Sequence, residues 1–198
     1  MEDKTIGFAL CGSFCTFEPV LSALTAIARD YARVIPILSF AAGSTDSRFG
    51  SAKDFRSRIE AICGAPPLDS IAQVEPVGPK KLLDLLVVAP ATGNTLAKLA
   101  AGIADTPVTL ACKSHLRNGR PIVLAVSTND ALGANAASIG ALLPRRHYYF
   151  VPFGQDAPEK KPTSMVADMS RIPETVKEAL AGRQLQPMIL GCAYTALP

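Results

Sequence analysis

From Leu85 to Ala89 the chain reads LLVVA, five apolar residues in unbroken succession. A strand with one face in water alternates apolar and polar residues, so this one needs cover on both faces. That demand points to a sheet sandwiched between helices, and the rest of the chain supplies the pieces. Strand-like runs are expected at Thr5 to Cys11, Val34 to Phe40, Leu83 to Ala89, Ile122 to Val126 and Tyr148 to Phe153. Between them lie helical patterns. The stretch from Phe17 to Tyr31 repeats apolar residues at Val20, Leu21, Leu24, Ile27 and Ala28. Ser51 can cap a helix that Gly64 closes, and Thr106-Pro107 is a cap-then-proline start for a helix ending near Asn118-Gly119. Further helices are expected over Asn94 to Ile103, Ala131 to Leu143 and Pro173 to Leu180, while the Pro-rich segment from Ala65 to Lys81 stays ambiguous. Strands alternating with helices mean parallel pairing and right-handed crossovers. The fold class is therefore α/β, a three-layer α/β/α sandwich around a parallel, doubly wound sheet, flavodoxin-like or Rossmann-like.

With 198 residues, 48% of them apolar and 19% charged, the chain can bury one substantial core but not two. A single domain over 1–198 is expected, its last dozen residues a tail. The net charge of +3 is small and no Lys/Arg run exceeds two residues, which argues against a nucleic-acid partner. No stretch approaches 18 uninterrupted apolar residues, and MEDKTIGFAL lacks the apolar core of a secretory leader. The five cysteines, Cys11, Cys15, Cys63, Cys112 and Cys192, are odd in number and have no zinc spacing. Reduced thiols in a cytoplasmic protein, without a metal, are expected.

In open parallel sheets, ligands bind beyond the carboxyl ends of the strands. Those ends carry Gly12 and Ser13, then Ser39, then Pro90, Ala91, Thr92, Gly93, Asn94 and Thr95, then Ser127, Thr128 and Asn129. Hydroxyls, amides and glycines where strands hand over to helices suit an anion, typically phosphate. Each is also an ordinary cap, and capping is the better account of any one loop. Four such loops on one edge favour a phosphate-bearing ligand. No G-x-G-x-x-G follows the first strand and no G-x-x-x-x-G-K-[ST] occurs, which disfavours NAD on this chain and a nucleoside triphosphate. A mononucleotide such as FMN remains. Arg48, Lys160 and Lys161 are candidate anchors for carboxylates; ordinary surface placement is about as good a reading for Arg48, and an exposed loop is the simpler one for the lysine pair. The loop GQDAPEKKPTSM reads as a lid, Lys98 as a solvated helical lysine and His115 as a surface residue.

The stretch APATGNTLAKLAAGIAD resembles the motif P-A-[ST]-A-N-T-x-x-K-x-A-x-G-x-x-D of the flavin-containing cysteine decarboxylase superfamily. Pro90, Ala91, Thr92, Asn94, Thr95, Lys98, Ala100, Gly102 and Asp105 fit it, and Gly93 replaces an alanine. Two features depart from it. SAKDFRSRIEAIC has no counterpart of the decarboxylases' helical His, and of P-A-M-N only Asn129 survives, after Val126, Ser127 and Thr128. More narrowly, CGSFCTFE, STDSRFG, EPVGPKKLLD, RNGRPIVLAVSTNDALG and FVPFGQDAPEKKPTSMVADM resemble the family of dipicolinate synthase B subunits. That resemblance implies oxidation of a dihydrodipicolinate-type dicarboxylate beside a dipicolinate synthase A subunit that carries NAD(P), in the mother cell of a sporulating bacterium. It also implies a homo-oligomer, a trimer or a multiple of it. Two readings stand beside it: an assembly subunit that has lost flavin, and a flavin-dependent decarboxylase.

Overall fold

The computed structural model describes residues 2–191. Cys192 and the end of the expected tail lie outside the described residues. Five strands form a parallel core: β1 (Glu2–Leu10), β2 (Tyr31–Leu38), β3 (Leu85–Ala91), β4 (Ile122–Thr128) and β5 (Tyr148–Phe150). Their spatial order is β2-β1-β3-β4-β5. This is the flavodoxin-type winding, in which the connections change direction between β1 and β3. Every residue of β3 is buried, as its unbroken apolar run requires. The strand does not break at Pro90. It runs on to Ala91, and its pairing with β4 skips from Val88 to Ala91, because proline has no N–H to give to the ladder.

The helices cover both sides of the sheet. They are α1 (Phe17–Asp30), α2 (Phe40–Ser44), α3 (Ala52–Cys63), α4 (Ile71–Val74), α5 (Gly93–Ala101), α6 (Pro107–Leu116), α7 (Ala136–Leu142) and α8 (Ile172–Leu180). The α1 stripe of Val20, Leu21, Leu24 and Ile27 is buried, with α8 packed beside it. Ser51 Oγ accepts from Asp54 N at 3.1 Å to start α3, and Gly64 ends it at φ 66°. The ambiguous Pro-rich segment contains α4, opened by a reciprocal Ser70–Gln73 capping box, and Leu68 bridges to Ile37 at the sheet edge.

The sheet is not purely parallel. The fifth strand stops at Phe150 because Pro152 cannot donate. The chain resumes as β6 (Phe153–Gly154), which pairs antiparallel with β7 (Met165–Ala167). β7 in turn runs antiparallel to Ser127 and Thr128 of β4. Only the two ends of the stretch read as a lid, Gly154 and Met165, belong to these strands, and residues 155–164 form the loop between them. No helix among the described residues is long and apolar enough to cross a membrane.

His115 is not on the surface. It is 1% exposed, its Nε2 lies 3.0 Å from the Pro121 carbonyl, and burial pulls its pKa down to about 4. A histidine kept neutral in the fold but basic in the unfolded chain stabilises the protein above pH 6.5. That contribution is lost as pH falls from there towards 4, at up to about 1.4 kcal/mol per pH unit. Urea midpoints of His115→Gln, which keeps a donor, are expected to fall less steeply over this interval than those of the parent. Parallel profiles would remove His115 from the acid response.

Candidate functional site

Two adjoining clefts open at the carboxyl ends of β1 and β3. The first, of about 450 Å³, is lined by Cys11, Gly12, Ser39, Thr92, Asn94 and Lys98, among others, with Thr95 at its floor. The second, of about 220 Å³, is lined by Ser13, Cys15, Gly93, Ser127, Thr128, Asn129, Asp156 and Lys161. Gly12 and Thr92 line both. Pro90 and Ala91 are buried inside β3 and line neither. Arg48 also stays away: it is exposed, with its guanidinium 4.9 Å above the Phe49 ring. Lys160 is exposed and outside both clefts, whereas Lys161 reaches the second.

The turn after β3 is a cap first. Thr92 Oγ1 accepts from Thr95 N at 3.4 Å and lies 3.1 Å from Thr95 Oγ1. Thr95 Oγ1 in turn donates to Cys11 Sγ at 3.2 Å, and burial pushes that thiol up to about 11, so the floor is uncharged at neutral pH. Asn94 differs. Its side chain is exposed in the first turn of α5 and makes no hydrogen bond among the described residues. Lys98 is no free solvated lysine. Its Nζ lies 2.7 and 2.8 Å from the Asp105 carboxylate, which it holds below the usual range. No carboxylate lines the first cleft, and Phe40, 51% exposed, stands at its mouth.

The wall between β1 and β4 is joined by a 2.8 Å hydrogen bond between the Ser13 and Ser127 hydroxyls. Gly93 is required by its neighbours: a Cβ there would lie 2.4 Å from Asn135 Nδ2 and 2.8 Å from Thr128 Oγ1. Thr128 donates to Asp130, and Asn135 Nδ2 donates to the other Asp130 oxygen at 2.7 Å. Across the second cleft, the buried Ser164 hydroxyl donates to Asp156 Oδ1 at 2.5 Å and approaches Asn129 Oδ1 at 3.3 Å. Burial works to raise the Asp156 carboxyl, but Ser164 and Lys161, 3.5 Å away, outweigh it and hold it low. Ser164 escapes a reading by residues because one of its partners, Asn129, lies 35 positions away, and Asp156 gains its role only when Ser164 and Lys161 fold back onto it within one loop.

Fold and site together define a flavodoxin-type domain with a hydroxyl- and amide-lined cleft at the turning point of its sheet. The flavoprotein family model matches residues 1–139. The dipicolinate synthase B subunit of Bacillus subtilis (strain 168) is 45% identical over 190 residues, covering 96% of this chain and 95% of that one. A crystal structure of the dipicolinate synthase B subunit from Bacillus halodurans C superposes with a TM-score of 0.87 at 42% identity, covering 95% of this chain and 96% of that one. The FMN-dependent cysteine decarboxylase SpaF shares the fold at a TM-score of 0.67 and 22% identity, over 90% of this chain and 95% of that one. The chain belongs to the flavoprotein family and, within it, to the family of dipicolinate synthase B subunits.

Proposed function

We propose that this chain binds FMN at the β1/β3 turning point and, with a dipicolinate synthase A subunit that carries NAD(P), supports oxidation of a dihydrodipicolinate-type dicarboxylate to dipicolinate. The observation that carries the reading is the first cleft. It offers hydroxyls at Ser39 and Thr92, the unengaged Asn94 amide and the first turn of α5, with no carboxylate facing them. That donor set fits a phosphate and a ribityl chain. Gly12, Ser13, Gly93, Ser127, Thr128 and Asn129 then edge the ring-bearing side, and Thr95 and Cys11 form the floor.

Bound FMN would supply an acceptor for two electrons. The chain's own residues do the rest. Lys161 gives one carboxylate of the substrate a cation, and Asp156, held ionised beside it, is placed to take a proton. Phe40 shields the cleft mouth from water. Loss of a hydride and a proton makes the ring aromatic, so positioning matters more than driving force. An exposed phenylalanine at the mouth also supports assembly of copies around the site, in a trimer or a multiple of it. We place the protein in the cytoplasm of the mother cell, following the biology that the family name implies.

Titration of the apo-protein with FMN, followed by flavin fluorescence, tests the reading. Asn94→Ala should keep its melting temperature and weaken FMN binding about tenfold, or 1.4 kcal/mol. Unchanged affinity would leave the turn a cap alone. A parent protein that takes up no FMN, yet raises dipicolinate formation by the partner enzyme, would instead favour the assembly role.

A further inference from the structure

A concavity that the flavin reading does not use lies at the opposite, amino edge of the sheet. It is a groove of about 460 Å³ between the C-terminal end of α5, one face of α6 and the turn entering β5. Its floor is apolar, made by Leu99, Ile103, Leu116 and Tyr148. Leu99 and Tyr148 are buried, whereas Ile103 is 46% exposed. Its rim is cationic: Lys113, Arg117 and Arg146 are exposed beside it. None of these three has an ion-pair partner among the described residues, and no Asp or Glu lines the groove.

Cations gathered without counter-charge repel one another, and an anion seated among them relieves that cost. Part of the rim is held in place already. Arg145 donates to the carbonyls of Leu99 and Ala100 at 3.2 and 2.6 Å, which fixes it against the end of α5. The next residue but one, His147, lines the groove at φ 70°, a conformation unusual for a side-chain-bearing residue. It is retained while its carbonyl accepts from Ile122 N at 2.7 Å. Held backbone of this kind gathers at binding sites. The volume suits a small molecule, within the range of about 300–1,000 Å³ usual for such sites.

We infer that this groove is a second binding site, for a small amphipathic anion whose apolar body rests on Leu99, Ile103 and Leu116 while one carboxylate or phosphate headgroup meets Lys113, Arg117 and Arg146. The site is separate from the flavin cleft and does not depend on it. Calorimetric titration of the full chain, saturated with FMN, with octanoate and with octyl phosphate tests it and ranks the two headgroups. Saturable binding of at least one of them is expected. The double variant Lys113→Glu, Arg117→Glu should weaken it at least about tenfold, and so should Ile103→Glu. Should the double variant fail to fold, Arg146→Glu alone carries the same expectation. Raising NaCl from about 0.05 to 0.5 M should weaken it further, since the rim is exposed. Inorganic phosphate alone should bind at least about tenfold less tightly. No saturable binding, affinities unmoved by these variants, or inorganic phosphate binding as well as octyl phosphate would each overturn the inference. So would variants that change only the oligomeric state in light scattering, which would make the groove a contact between copies.

Discussion

Gly93→Val is expected to lower FMN affinity by at least about a hundredfold, or 2.7 kcal/mol. The side chain has nowhere to go. Its Cβ would fall 2.4 Å from Asn135 Nδ2 and 2.8 Å from Thr128 Oγ1. Neither neighbour can swing aside freely, since both donate to the two oxygens of Asp130. Overpacking at such a braced point costs about 1–3 kcal/mol. The cheapest relief moves the start of α5 away from β4, carrying Thr92 and Asn94 out of the first cleft. Melting temperature and FMN titration should therefore both fall, and Gly93→Ala should show the same pattern more weakly. Asn135→Ala in the Gly93→Ala background should restore much of both losses. It removes the nearer of the two clashes, leaving Thr128 Oγ1, and it deletes an amide whose buried Oδ1 has no hydrogen-bond partner. Affinity within twofold of the parent in Gly93→Val would refute the idea that this glycine sets the position of the turn.

Phe17→Ala is expected to produce the largest loss of stability, about 3–5 kcal/mol. Phe17 is 1% exposed, and its ring centroid lies 5.2 Å from that of Phe14 and 4.7 Å from that of Phe55, the second pair edge to face. The cluster joins the turn after β1 to α1 and α3. Domains of this size have only about 5–15 kcal/mol in total, so urea midpoints should drop by a large fraction. Phe17→Leu, which keeps most of the volume, should cost under about half as much. The loss reaches the site as well. Thr16 Oγ1 donates to the Ser13 carbonyl at 2.8 Å, so a loosened start of α1 frees the turn that sets the Ser13 hydroxyl against Ser127. A urea midpoint equal to that of the parent would show that the cluster adds nothing beyond neighbouring contacts.

Much of the fold was legible because its signals are local. The Ser51 cap and Gly64 stop of α3 sit next to the helix they bound, and so do Thr106 and Pro107 of α6. The α1 stripe is a matter of spacing within one element. Strand ends alone also led to Gly12, Ser13, Ser39, Thr92, Asn94 and Thr95, which lie along the adjoining clefts, because in a parallel sheet every strand delivers its next residues to the same edge. Arg48 and Lys160 were chosen by charge and loop position alone, and neither is carried to a cleft.

A doubly covered sheet, its crossover helices and the edge to which its strands deliver their loops were all readable in the order of the residues. Each follows from hydrophobic period, caps and chirality, which act over a few residues. The folded chain alone reveals that β6 and β7 turn back antiparallel, since strands of two and three residues carry no readable period. It likewise reveals that His115 is buried, because a residue near Lys113 and Leu116 looks exposed until the Pro121 carbonyl is brought within 3.0 Å of it. Burial and hydrogen bonding between distant segments, as in Asn129 and Ser164, are properties of chain closure, and no local pattern encodes them.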